Sequence, residues 1–308
     1  MLAASIHEHA GLGNQIWRYV CCRVFAEKLG YKFGVSHPGW RGKFLNIDWG
    51  EDPKMNVEED SDYQSSSGFS YYKEESIHHA SAPGEIGDPD LKFETLEDNT
   101  YINGTFQKMS YIEDHRDKIC EWLTYDDKYK ITDFSDDNIC VIQLRGGDYT
   151  TGHSMLPPEY YHQAMHHMRQ NNPDVEFVIV TDDPKTAQRM IPNTPIIGSA
   201  TAEEKDPDQK FISWYEYTGG PVSMDYTILN HAKYAIISSS TFAFWPIWTN
   251  KKLLNVIAPK YWFDYNRSDG WWRPKDGIVN DPAWLWMDKF GGLFESKTCI
   301  KLAKEYYA

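Results

Sequence analysis

The order of apolar and polar segments predicts an α/β protein of two domains, the second built on a parallel sheet. Two observations carry this. First, the second half repeats one theme, an apolar strand, a polar turn and a helix: ICVIQL then RGGDY, FVIV then TDDP, and YAII then SSSTF, with a further apolar strand at LLNVIAP. Strands alternating with helical patterns imply βαβ units and a parallel sheet, whose ligands bind beyond the carboxyl ends of the strands. Second, 308 residues exceed what a single hydrophobic core usually organises.

The first element is a short strand near Leu2–Ile6, followed by the glycine turn GLGNQ and a helix from about Asn14 to Leu29. Ile16, Val20 and Val24 form one stripe at i, i+4 spacing, and Trp17, Cys21, Phe25 and Leu29 form its neighbour, so this helix has a broad buried face. The stretch from about 50 to 90 is rich in Asp, Glu, Ser and Gly and shows no sustained period. It reads as irregular surface structure bordering an acceptor groove. A helix follows between Gln107 and Leu123, and the polar run DDKYKITDFSDDN reads as the linker. The expected domains are therefore 1–132 and 133–308. No internal repeat of solenoid or propeller period is present.

Composition narrows the function classes. With 41% hydrophobic and 15% aromatic residues the chain should bury a substantial core. A net charge of −14 argues against nucleic-acid or anionic-membrane partners, which need a basic field, so any anionic ligand must be met by a few placed cations. The five cysteines (Cys21, Cys22, Cys120, Cys140, Cys299) have no metal spacing and read as reduced and structural. The start, MLAASIHEHAGLGNQ, has no basic or long apolar leader, and no run approaches the ~20 apolar residues of a membrane span. The expected location is the cytoplasm of a bacterium or the host cell of a virus; an organelle lumen would require an anchor outside this sequence.

Candidate chemistry lies in the three polar turns. Arg145 directly follows a buried strand, and Gly146 and Gly147 allow close backbone approach. Its fork of donors suits a diphosphate, although a structural ion pair with Asp148 explains it equally well. Ser238, Ser239, Ser240 and Thr241 precede a helix carrying Phe242, Phe244, Trp245 and Trp248. They form either an anion site at a helix N-terminus or an ordinary cap. Asp182 and Asp183 precede Pro184, where an N-cap is the plain alternative. Asp225 opens the helical stretch DYTILNHAKY and can be a cap as well. What capping alone explains poorly is their joint placement at successive strand ends.

Taken together these segments resemble the α-1,2-fucosyltransferase family and, more distantly, the wider superfamily with the α-1,6 and protein O-fucosyltransferases. The resemblance runs through GLGNQ (Gly11–Gln15), INGTFQKMSYI (Ile102–Ile112), VIQLRGGDY (Val141–Tyr149), LPPEYYHQAM (Leu156–Met165), FVIVTDDP (Phe177–Pro184) and SSSTFAFWPIW (Ser238–Trp248). It implies a GT-B fold, two Rossmann-like domains facing a central cleft. It also implies inverting transfer of fucose from GDP-fucose to a glycan hydroxyl, with no cofactor and no metal. By the same resemblance Arg145 holds the donor pyrophosphate, Asp225 reads the guanine, and Ser240, Thr241 and Phe242 lie on the donor phosphates. Gly11, Gly13, Asn14 and Gln15 face the reacting sugar, and Asp182 and Asp183 belong to a second superfamily motif. Two departures stand out. Where the family carries a histidine and two arginines, this chain has Gln143, Leu144, Arg145 and Gly146; Gln143 can hydrogen-bond a base but carries no charge, and one cation stands where the family has two.

The resemblance does not identify the general base, for which His7, Glu8, His9, His153 and Asp148 are candidates, nor the acceptor-binding residues. Four rival readings remain. A GT-B transferase could use another GDP-sugar. His7 and His9, on one face of a strand, could begin a metal site. A manganese-dependent GT-A transferase would need an Asp-x-Asp pair, as at Asp60/Asp62, Asp88/Asp90 or Asp206/Asp208. A non-catalytic carbohydrate-binding protein would use Trp262, Trp271, Trp272, Trp284 and Trp286 as its face.

Overall fold

The computed structural model describes residues 1–6, 8–53, 70–73, 93–131, 134, 138–151, 154–199, 220–262, 265–266 and 277–307. The chain forms two compact units, one of Met1–Arg41 and Leu45–Thr124, the other of Gly42–Phe44 and Tyr125–Ala308. Both are α/β with parallel sheets, the class expected.

The first unit runs β1 (Leu2–Ser5), α1 (Leu12–Leu29), β2 (Phe33–Ser36), β3 (Ser70–Lys73), β4 (Thr100–Asn103), α2 (Met109–Ile112) and α3 (Arg116–Trp122). Its strands pair in parallel in the order β2-β1-β4-β3. Helix α1 begins two residues earlier than expected. Gly11, extended at φ −64° and ψ 154°, is its N-cap, so the glycine turn is largely the first helical turn. Both apolar stripes are buried except at Leu29, which is partly covered. Phe25 stacks on Phe93 at 5.3 Å and meets Phe106 and Tyr111 edge-on.

Two expectations need correction in this unit. The stretch read as irregular contributes a strand, β3, which adds to β4 in parallel. Its acidic composition hid the signal, and the rest of that stretch lies largely outside the described residues. The helix expected between Gln107 and Leu123 is broken by a 3-10 turn at Glu113–His115. There the Lys28 ammonium takes the Tyr111 carbonyl (3.0 Å) and the Asp114 carboxylate (2.9 Å), drawing the chain away from α-helical pairing.

The second unit runs β5 (Ile139–Leu144), α4 (Pro158–Asn171), β6 (Glu176–Thr181), α5 (Pro184–Met190), β7 (Ile196–Ile197), α6 (Gly220–His231), β8 (Tyr234–Ile237), α7 (Thr241–Trp248), β9 (Asn255–Pro259), β10 (Trp284–Met287), β11 (Leu293–Glu295) and α8 (Ser296–Tyr307). The sheet order is β11-β10-β9-β8-β5-β6-β7, parallel except for the β10–β11 pair. From β5 the chain moves outward through β6 and β7, then returns to lay β8 on the other side of β5. That reversal makes the carboxyl ends of β5 and β8 the topological switch point, where open α/β sheets bind ligands.

Strand β5 reads as a continuous apolar run because helices cover both faces. Cys140, Ile142 and Leu144 pack with Tyr160, Tyr161, Ala164 and Met168 of α4, and the Tyr160 hydroxyl reaches the Ile237 and Ile257 carbonyls. Gln143 is the buried polar exception. Trp284 and Trp286 on β10 are 0% and 1% exposed, so they are core and not the sugar-stacking face of the carbohydrate-binding alternative. Trp271 and Trp272 lie outside the described residues. All five cysteines are free thiols. Among the described residues no helix is long and apolar enough to cross a membrane.

Candidate functional site

At the switch point, the ladder from β5 to β8 carries one step past the strands: the Ser238 N–H donates to the Gln143 carbonyl at 3.1 Å. The Arg145 N–H donates to the Ser238 hydroxyl oxygen at 3.2 Å, and that hydroxyl donates to Gln143 Oε1 at 2.6 Å. Arg145 and the serine run are thus joined by direct bonds between residues more than ninety positions apart.

The Arg145 guanidinium lies between two carboxylates, Asp182 and Asp148, with the latter at 2.6 Å. The ion pair with Asp148 that the sequence offered as an alternative is therefore present, and Asp182 joins it. A guanidinium has five N–H donors, so these two bonds leave others for a ligand. Asp182 also accepts from the Gly146 N–H at 2.7 Å. Burial pushes its carboxyl above the ordinary range despite the opposing pull of Arg145, and Asp148 adds to the rise. Gly146 and Gly147 do provide close approach, but to this turn: a Cβ on Gly146 would meet Asp183 Cβ at 2.5 Å, and one on Gly147 would meet Asp182 Oδ2 at 2.9 Å.

Asp183 caps α5, accepting from the Thr186 N–H at 3.0 Å with Pro184 at the first helical position, so the plain capping reading describes it. Burial works to raise its pKa, but the bonds from Thr186 and Gly147 and the nearby Arg189 hold it below the usual carboxylate range.

Ser240 is the N-cap of α7, yet its side chain makes no capping bond. The first-turn N–H groups at Thr241 and Phe242 have no intrahelical acceptor, and both residues are half-buried at this edge. The Phe242 ring meets Tyr226 edge-on at 6.4 Å.

Asp225 does not open its helix. It sits in the middle of α6 and is 9% exposed. Its carboxylate accepts from the Ser199 N–H at 2.7 Å and from the Ser199 hydroxyl. Burial raises its pKa from 3.8 to about 7, the Ser199 bonds opposing and the Asp182 charge adding to the rise. Gly198 turns the chain there at φ 83°, and a Cβ on it would run into Asp225 Oδ1.

In the first unit, Gln15 is fully buried and clamps a loop: its Nε2 donates to the Gly39 carbonyl at 2.7 Å, and its Oε1 accepts from the Arg41 N–H at 3.0 Å. Asn14 Oδ1 accepts from Gln107 Nε2 at 3.1 Å. Gly13 is buried in the first helical turn, and Gly11 stands before it with open space where a Cβ would be.

Of the general-base candidates, Glu8, His9 and Asp148 have side chains 76%, 63% and 71% exposed. His7 and His153 lie outside the described residues, as do all six aspartates of the three Asp-x-Asp pairs. Among the described residues no group of three or more His, Cys, Asp or Glu is arranged to hold a metal ion. Sequence reasoning passed over Ser199, which no motif marks, and Tyr149, which was visible only as part of a longer run.

No protein-family model matches the chain. Among solved structures it is similar to NodZ α-1,6-fucosyltransferase soaked with GDP-fucose, at 14% identity and a TM-score of 0.48, covering 84% of this chain and 94% of that one. NodZ from Bradyrhizobium gives 13%, a TM-score of 0.47, and coverage of 83% and 94%. By sequence it is 22% identical to an alpha-1,2-colitosyltransferase of Escherichia coli over 82% of this chain and 90% of the relative. It is 25% identical to the O-antigen biosynthesis glycosyltransferase WbnK of Escherichia coli over 52% of this chain and 54% of that protein. By sequence, then, the chain is a relative of glycosyltransferases.

Proposed function

We propose that the chain is a metal-independent, inverting glycosyltransferase that takes fucose from GDP-fucose and forms an α-1,2 linkage to a glycan hydroxyl. The observation that supports this best is the pairing, at one topological switch point, of a guanidinium held by two carboxylates and a helix N-terminus whose cap side chain makes no capping bond. In such a reaction the acceptor hydroxyl attacks the anomeric carbon as GDP departs, and negative charge grows on the β-phosphate. Arg145 and the first-turn N–H groups of α7 would meet that charge. A well-placed donor in this role is typically worth roughly 3–4 kcal/mol. Asp182 and Asp148 hold the guanidinium fork in place until a diphosphate engages its remaining donors.

Asp225 is assigned to the base edge on resemblance, although both of its carboxylate oxygens accept from Ser199, and Gln143, Asp182 and Asp183 would shape the surroundings of the phosphates. Gly11, Gly13, Asn14 and Gln15 are assigned to the sugar on resemblance. Gln15 among them already has a structural task. A second reading, transfer of colitose from a GDP-linked donor, is favoured by the match to a colitosyltransferase.

Calorimetric titration of GDP, GDP-fucose, GDP-mannose, GDP-colitose and a UDP-sugar in EDTA tests the proposal, with Arg145→Ala alongside. Selective binding of GDP and GDP-fucose that the variant loses is the expected result. A preference for GDP-colitose replaces the donor, and a folded wild type that binds no guanine nucleotide refutes the reading.

A further inference from the structure

We infer that Tyr149 is a positioning residue for Arg145, its ring supporting the guanidinium and its hydroxyl fastening the loop after β5 to the turn before α7. This deepens the donor-site reading and rests on it. The Arg145 guanidinium carbon lies 5.2 Å from the Tyr149 ring centroid, within cation–π range. The Tyr149 hydroxyl donates to the Ser239 carbonyl at 3.1 Å, while its backbone N–H closes the turn on the Gly146 carbonyl at 2.9 Å. Ser239 is fixed on its far side, its hydroxyl donating to the Trp262 carbonyl at 3.1 Å.

The loop is therefore stitched to the serine turn at both ends, by Arg145 N–H to Ser238 and by Tyr149 to Ser239. Between these two points lies the one cation assigned to the diphosphate. Carboxylates hold the edge of its fork, one of them on the largely exposed Asp148, but neither fixes the tilt of the guanidinium plane. The Tyr149 ring does so, and the hydroxyl keeps the ring from moving away with its loop. A phenylalanine would retain the ring and lose the fastening. Burial raises the phenol pKa, with Arg145 opposing, so the hydroxyl stays protonated and able to donate.

The experiment is a double-mutant cycle on the full chain: Tyr149→Phe, Arg145→Lys and the double variant. GDP affinity, kcat and KM for GDP-fucose, and melting temperature are measured for each. Tyr149→Phe should weaken GDP binding about fivefold and lower kcat, the scale of one hydrogen bond that orders a charged group, with the melting temperature nearly unchanged. In the Arg145→Lys background the same change should cost less than twofold, because an ammonium presents no plane to be oriented. A Tyr149→Phe loss equal in both backgrounds, or no loss in the wild type, overturns the inference alone. Wild type that binds no GDP removes the donor reading and this inference with it. Tyr149→Leu, which lacks ring and hydroxyl, should lose more than Tyr149→Phe in the Arg145 background, and equal losses also count against the ring's role.

Discussion

Replacing Asp225 with asparagine should abolish most of the pH dependence of stability in the second unit between pH 5 and pH 8. The Asp225 carboxyl is buried in α6, and its pKa stands at about 7 against an ordinary 3.8. Because the folded protein holds this proton more tightly than the unfolded chain, the contribution is fully favourable below the unfolded value. It is lost as pH rises through about 7. At 1.36 kcal/mol per unit, the full shift corresponds to about 4 kcal/mol, of which about 2.5 kcal/mol falls between pH 5 and pH 8. For a unit of this size that is a fall in Tm of about 5–10 °C. Asparagine keeps an acceptor for Ser199 and cannot ionise. Calorimetric scans of wild type and Asp225→Asn at both pH values should show a sloping and a nearly flat response respectively, with the variant melting higher at pH 8. Parallel slopes would mean that the desolvated carboxylate is compensated in a way these contacts do not reveal.

Two further outcomes follow from the same packing. Gly198→Ala forces a side chain into φ 83° and against the Asp225 carboxylate, and should cost about 1–3 kcal/mol in urea unfolding. A neutral result would remove the Gly198–Ser199 turn as the support of Asp225. Gln15→Ala leaves the Gly39 carbonyl and the Arg41 N–H without their partner and should cost about 2 kcal/mol. If the alanine variant unfolds at the wild-type temperature, the clamp is not what orders the loop from Gly39 to Arg41.

Much of the second unit was legible because a parallel sheet covered on both faces writes itself as short apolar runs. Ile139–Leu144 stands where that rule put it, and Phe177–Val180 is extended by one residue at each end. The periodicity of α1 was equally plain, since its two stripes lie on neighbouring faces of one helix. Edge strands such as Ser70–Lys73 and the two-residue Ile196–Ile197 were not, because so short a segment carries no period. The break at Glu113–His115 depends on Lys28, far back in the chain, and was invisible for that reason.

The candidate site divides in the same way. Sequence alone determined that Arg145, Asp182 and Ser238–Ser240 follow apolar strands, and parallel pairing then brings them to one edge. Only the tertiary structure decided what each side chain does there. Arg145 is shared by Asp148 and Asp182, Asp183 is a cap, Asp225 is turned inward to Ser199 in mid-helix, and Tyr149 reaches across to Ser239. Local order along a chain fixes strands and turns through periodicity and steric preference. Hydrogen bonds between residues tens of positions apart depend on which strands become neighbours, and no short stretch of sequence contains that information.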